Sequence, residues 1–375
     1  MASPAAPANS PGRPEQAARG TGTAAPVLTA STPEEFAQWM PLLGRVGPLV
    51  GNPPALLGLA AEAGGSWPLP GGGGTGTLWE LLASVAAADV AAARIFEPHL
   101  DALAILQQAG VTAPAGTAPG GSWGVFAAEG PGMRLDATLA GAGVVLSGSK
   151  PWCSLAGQLD NAVVTAHTDD GRAAFAVSLR HPGVDCEEPE WVARGLREIP
   201  SGTVHFDQVP AVPVGGTGWY HSRPGFAWGG MGVAACWLGG AVGAAREFRH
   251  GLQAGADAGR QPDQLALAAL GEADRVITAA LQYLARTASR LDDGTLATGA
   301  GQSTWSEAQR VRGTVAAAVE RVLHLVGTNR GPGPLAFDEP YAKRMADLAL
   351  YVRQHHGHRD DAQLGNLVLA GDCQW

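Results

Sequence analysis

Residues 144–157 read VVLSGSKPWCSLAG, placing a strand, a Gly148-Ser149 turn, a lysine, a tryptophan and a hydroxyl in immediate succession. A turn at that point hands the chain to a second short strand and projects Trp152 and Ser154 from one edge of a sheet. An aromatic face beside a hydroxyl is a platform for a flat ligand. The competing reading makes Trp152 a core residue of a β-region. Lys150 is one of only two lysines in the chain, so it stands out among cations that are otherwise arginine.

A second concentration of chemistry is His355, His356 and His358, flanked by Arg353, Arg359, Asp360 and Asp361. Histidine titrates near neutrality and serves acid–base work. Cations gathered at the carbonyl end of a helix are equally a solvated helix terminus. Adjacent histidines on a helix point in different directions and no third ligand is suggested, so no metal site is expected. Cys153, Cys186, Cys236 and Cys373 are far apart with no CxxC pair, which indicates neither zinc nor a disulfide framework and is simplest in a reducing cytoplasm. His99, within FEPHLDA, is expected to serve local packing.

The elements that must position these residues fall into blocks. At 375 residues the chain is too long for one compact core. Glycine fills 53 positions, roughly twice ordinary usage. That excess looks like coding bias, so glycine-rich stretches carry little functional weight. A net charge of −9 without a basic stripe argues against a nucleic-acid partner, and no basic amphipathic segment suggests a membrane surface. Residues 225–245 carry no charge, but seven glycines and few branched residues point to a helix buried among helices, Gly239 and Gly243 permitting close approach. Residues 1–27, rich in Pro, Ala and Gly, are expected to be a disordered tail. Helical periodicity covers 28–120, short runs broken by Gly, Asp and Pro cover 121–224, and helical periodicity returns over 225–375. The glycine clusters at 71–74 and 229–232 match neither a Walker loop nor GxGxxG.

Four segments together resemble the acyl-CoA dehydrogenase superfamily over roughly residues 78–369. They are ADVAAARIFEPHLDALAILQQAG; WGVFAAEGP with LSGSKPWCSLAG; GLREIPSGTVHFDQVPAVPVG; and LVGTNRGPGPLAFDEPYAKRMADLALYVRQ. The resemblance implies an α+β multi-domain chain: an N-terminal all-α domain, a central antiparallel β-domain and a C-terminal four-helix bundle. It implies FAD as cofactor, with Trp152 packed beside the flavin, Ser154 near its reactive nitrogen, and Ala128 and Glu129 in the turn facing its pyrimidine edge. Thr328 and Asn329, in LHLVGTNRGPG, align with the segment that reaches a partner subunit's FAD, which implies a homodimer or homotetramer.

The departures bear on mechanism. In relatives a glutamate removes the α-proton of an acyl thioester, either from the loop after the Arg-x-x-x-Asp helix or from the first helix of the C-terminal bundle. Here the first place reads LYVRQHHGHRDD, with Arg353 or Gln354 near the expected position. The second reads GMGVAACWLGG, with no carboxylate. The leading expectation is an acyl-CoA dehydrogenase-like oxidoreductase acting on a CH–CH group, its base atypical or missing, its substrate a small molecule such as an acyl thioester. The alternatives are a reduced-flavin monooxygenase of the same fold, in which His355 or His356 would act on bound oxygen, and a flavin-binding relative without turnover.

Overall fold

The computed structural model describes residues 25–111, 120–141, 143–298, 303–373 and 375; most of the expected tail, residues 1–24, lies outside them, as does the loop at 112–119. The chain enters through short helical turns and reaches α1 (Pro53–Gly64), started by the Asn52 side chain, which accepts from Ala55 N–H at 3.2 Å. Next come α2 (Thr75–Ala88) and α3 (Val90–Gln108), separated by Asp89, which caps α3 by accepting from Ala92 N–H at 2.8 Å. Helix α2 is apolar and buried nearly all round, so it needs neighbours on every side.

Seven strands follow: β1 (Trp123–Phe126), β2 (Leu135–Ala140), β3 (Gly143–Ser154), β4 (Asn161–Thr168), β5 (Gly171–Ser178), β6 (Val184–Cys186) and β7 (Ser201–Val214). The pairings β2–β3, β3–β7, β7–β5 and β5–β4 are antiparallel, and β6 adds to β7. The sheet is nevertheless mixed, which corrects the expectation of an antiparallel domain. Strand β1 runs parallel to β4, and β2 meets β4 in parallel at Asp136↔His167. The reason is connectivity: β2 and β3 intervene between β1 and β4, so the chain reaches β4 by a crossover and not by a hairpin.

The C-terminal region holds α4 (Pro224–Asp257), α5 (Gln264–Asp292), α6 (Thr304–Arg330), α7 (Glu339–Tyr351) and α8 (His358–Leu369). Helix α4 is long and apolar enough to cross a membrane, but 78% of its most apolar window is buried inside the protein. It packs on α2 so closely that a Cβ at Gly239 would collide with the Ala83 carbonyl oxygen, and one at Gly243 would lie 2.7 Å from that of Ala87. One apolar core therefore runs from Val27 through α2, α4 and the sheet to Val352.

The segment before β7 docks on α7. Leu196 N–H donates to Asp347 Oδ1 at 2.5 Å, and Gly195 lies against the Ala346 carbonyl with no room for a Cβ. Lys343 Nζ sits 2.7 Å from Asp89 Oδ2, 2.7 Å from Asp347 Oδ2 and 3.4 Å from Glu198 Oε1, joining the α2–α3 junction, the β-region and α7 in one ion cluster. Burial lowers the Lys343 pKa, but the charges of Asp89 and Asp347 outweigh it and the net shift is upward.

Candidate functional site

The edge of the sheet formed by the end of β3 is irregular in a way that exposes side chains. Pairing with β7 slips between Lys150 and Cys153, and Trp152 and Leu155 both take left-handed backbone conformations, with φ of 60° and 55°. Strain of this kind in non-glycine residues persists where surrounding structure enforces it, and it clusters at functional sites. The bulge buries Pro151 and Cys153 and turns Trp152 outward, 62% exposed. The Ser154 hydroxyl lies 2.7 Å from that of Ser201 and accepts from the Arg94 guanidinium at 3.5 Å. The structure thus gives Trp152 an exposed position at the sheet edge rather than a core one.

The turn carrying Ala128 and Glu129 is brought to the same place. Pro151 Cγ lies 3.1 Å from where a Cβ on Gly130 would stand, so the turn rests directly on the bulge. The Glu129 carboxylate pairs with His167 Nε2 at 3.0 Å and Arg172 Nε at 3.1 Å. Beneath it, Thr165 and Arg172 both donate to the Ala127 carbonyl, and buried Lys150 donates to Thr165 Oγ1 at 2.9 Å. Burial, with help from the Arg172 charge, lowers the Lys150 pKa to about 8. Lys150 thus supports the turn from below.

Behind the bulge lies a buried polar network that the sequence reading missed. Arg94, Glu97 and Asp101 occupy one face of α3, and the Arg94 guanidinium is 3.7 Å from Glu97 Oε2. The Tyr351 hydroxyl, from the end of α7, donates to Glu97 Oε2 at 3.5 Å. Tyr351 packs edge-on against Trp237 of α4, whose other neighbour is the Arg312 guanidinium, 4.7 Å from the ring centre. Burial raises the Glu97 pKa to about 7, with Arg94 opposing and Asp101 assisting. Glu97 and Asp101 also line a cavity of about 30 Å³ walled by Trp79, Leu82, Leu100 and Trp228. The available signal was three charges at i, i+3 and i+7 on the buried face of an alanine-rich helix.

The late histidines lie on another wall. His355 is largely buried, its Nε2 3.8 Å from Asp360 Oδ2, and burial lowers its pKa. His356 is exposed and faces Asp360 Oδ1 at 3.2 Å. Arg353 is an exposed partner of Glu320, and Gln354 offers its carbonyl to Arg312 at 2.7 Å, so neither side chain enters the network around Tyr351. Thr328 and Asn329 line a groove with the end of α4 and the start of α5, and no residue of that groove belongs to the sheet edge. His99 accepts from Trp123 N–H at 3.2 Å, tying α3 to β1, and burial lowers its pKa to about 4. Among the described residues, no group of three or more His, Cys, Asp or Glu side chains is placed to hold a metal.

No protein-family model matches the sequence, and no curated protein matches it. Solved structures do share the fold. Butyryl-CoA dehydrogenase of Megasphaera elsdenii superposes with a TM-score of 0.71 at 16% identity, over 89% of this chain and 98% of that one. KijD3, solved with FMN and dTDP-3-amino-2,3,6-trideoxy-4-keto-3-methyl-D-glucose, gives 0.70 at 17% identity, over 90% and 93%. A nitrososynthase of Micromonospora carbonacea var. africana gives 0.65 at 18% identity, over 85% and 92%. At these identities the likeness is one of fold.

Proposed function

We propose that this chain, which has the fold of the acyl-CoA dehydrogenases, is a flavin-dependent oxidoreductase acting on a carbon–carbon single bond of a small acyl compound. The observation that carries the reading is the β3 bulge. It holds a large indole in solvent, at a backbone conformation disfavoured for tryptophan, beside a serine hydroxyl and the Ala128–Glu129 turn. These residues suit a planar, polar-edged ring. Trp152 would stack on it or flank it, Ser154 would meet its central nitrogens, and the backbone of Ala128 and Glu129 would meet its pyrimidine edge. A flavin there supplies a two-electron acceptor. FAD is the form the sequence resemblance favours, while KijD3 was solved with FMN. Thr328 and Asn329, remote from the bulge in their own chain, suit a homodimer or homotetramer in which they reach a partner's nucleotide. The four cysteines are free, in keeping with a soluble protein of a reducing compartment.

A second reading, oxygen activation by reduced flavin, draws on the lack of a carboxylate at both usual base positions and on the partly buried His355. Reconstitution tests the shared premise. Protein refolded or incubated with excess FAD or FMN should retain one of them with a shifted, structured absorption envelope. Trp152→Ala should weaken retention at least several-fold, while Trp191→Ala should not. Failure to retain either flavin, or equal affinity in wild type and Trp152→Ala, counts against the assignment of this edge.

A further inference from the structure

Two glutamates on adjacent helices face inward, in opposite surroundings. Glu80 of α2 accepts from the backbone N–H groups of Thr29, Ala30 and Ser31 at 2.5, 2.7 and 2.9 Å, and from the hydroxyls of Thr29 and Ser31. Burial alone would raise its pKa, but the Ser31 hydroxyl and these amides outweigh it and hold it below the ordinary value. It is a fastener for the N-terminal segment. Among the described residues, Glu97 of α3 has a single long hydrogen bond, from Tyr351, and a cation no nearer than 3.7 Å. Its side chain is 11% exposed and lines the apolar cavity between α2, α3 and α4. A buried carboxylate kept short of donors costs stability, and an arrangement of that kind in a cavity is the mark of a working group.

We infer that Glu97 is the proton acceptor of this site, a catalytic residue supplied from α3 in place of the carboxylate missing at both usual base positions, Arg353 or Gln354 standing at the first. The inference rests on the oxidoreductase reading above and gives it a base. The ligand is a short acyl compound whose carbon beside the carbonyl meets the Glu97 carboxylate; the cavity of about 30 Å³ between Trp79 and Trp228 has room for about one water and not for the acyl chain. In the step, an O–H bond forms on Glu97 as the C–H bond next to the acyl carbonyl breaks, and the electron pair stays on the ligand as an enolate. No oxidant enters this half-reaction. The groups that face Glu97 are Arg94 and Asp101 from its own helix, Cys236 from α4, Arg312 from α6, Tyr351 from α7, and Tyr220 from the turn before α4. Tyr351 and Arg94 favour the ionised form and Asp101 opposes it.

The test has two readouts, both on full-length flavin-loaded protein. Infrared titration should show a protonated-carboxyl band lost with a midpoint near 7. The band should be missing in Glu97→Gln, should keep a lower midpoint in Asp101→Asn, and should move to a higher midpoint in Tyr351→Phe. Separately, acetyl-, propionyl- and butyryl-CoA held in deuterated buffer should take up deuterium at the carbon beside the carbonyl, faster as pH rises through that midpoint. Glu97→Gln should slow uptake at least about 100-fold, as expected for loss of a general base. Uptake that survives in Glu97→Gln, no uptake by the wild type, or no band with that midpoint each overturns the inference. Flavin retention is measured independently, so its failure marks the functional reading and not Glu97.

Discussion

At the scale of single residues, Glu97 makes a stability prediction whose sign follows from linkage. Its pKa is raised from 4.5 to about 7 in the fold, so the charged form is the disfavoured one. Below pH ~4.5 the carboxyl is neutral in folded and unfolded chains alike, and it costs nothing. Between that value and the folded pKa the unfolded chain ionises first and the fold loses stability. Above the folded pKa the full penalty stands, at most about 3 kcal/mol for a shift of this size. Glu97→Gln should therefore be more stable than wild type at pH 8, by about 1–3 kcal/mol, and equal to it at pH 4. Urea unfolding at the two pH values checks this, and a variant weaker than wild type at pH 8 contradicts it. At this scale the sequence was partly legible. The placement of Trp152 and Ser154 at a sheet edge was readable because a turn, a strand and an aromatic follow one another locally. Glu97 was not, because its burial depends on Tyr351 and Trp237, which the chain brings up more than a hundred residues later.

At the scale of elements, the contact between α2 and α4 depends on backbone approach. Gly239→Ala drives a methyl into the Ala83 carbonyl, so at least about 2 kcal/mol of stability should be lost. Gly251→Ala, in the last turns of the same helix with nothing within 4 Å of the new Cβ, should instead gain up to about 1 kcal/mol from helix propensity. Thermal melts of the two variants should move in opposite directions; a shared direction would show that propensity and not packing governs α4. The glycine spacing of α4 was legible because close approach leaves small residues one turn apart. The parallel β1–β4 pairing was not, since hydrophobic alternation reports that a strand exists and not which neighbour it takes.

At the scale of the molecule, the Lys343 cluster links parts of the chain that the sequence divides into three. Lys343→Met leaves Asp89, Asp347 and Glu198 without their shared cation, which should cost about 3–5 kcal/mol at neutral pH. The loss should shrink in acid as Asp347 and Glu198, whose pKa values burial raises, take up protons, and a pH-independent loss would assign the effect to packing of the lysine stem. Three blocks of periodicity were legible along the chain; their common core was not, because composition does not say which apolar faces meet. That shared core governs how the protein is made. Helix α2 is complete early in synthesis, yet the face it needs belongs to α4, whose Gly239 emerges from the ribosome about 150 residues later. In that interval the nascent chain carries an apolar helix that has α3 beside it but lacks the α4 face, and the whole β-region must be translated first. Chains released early are therefore the aggregation-prone species, and holding the growing polypeptide until α4 has emerged is a task for chaperones.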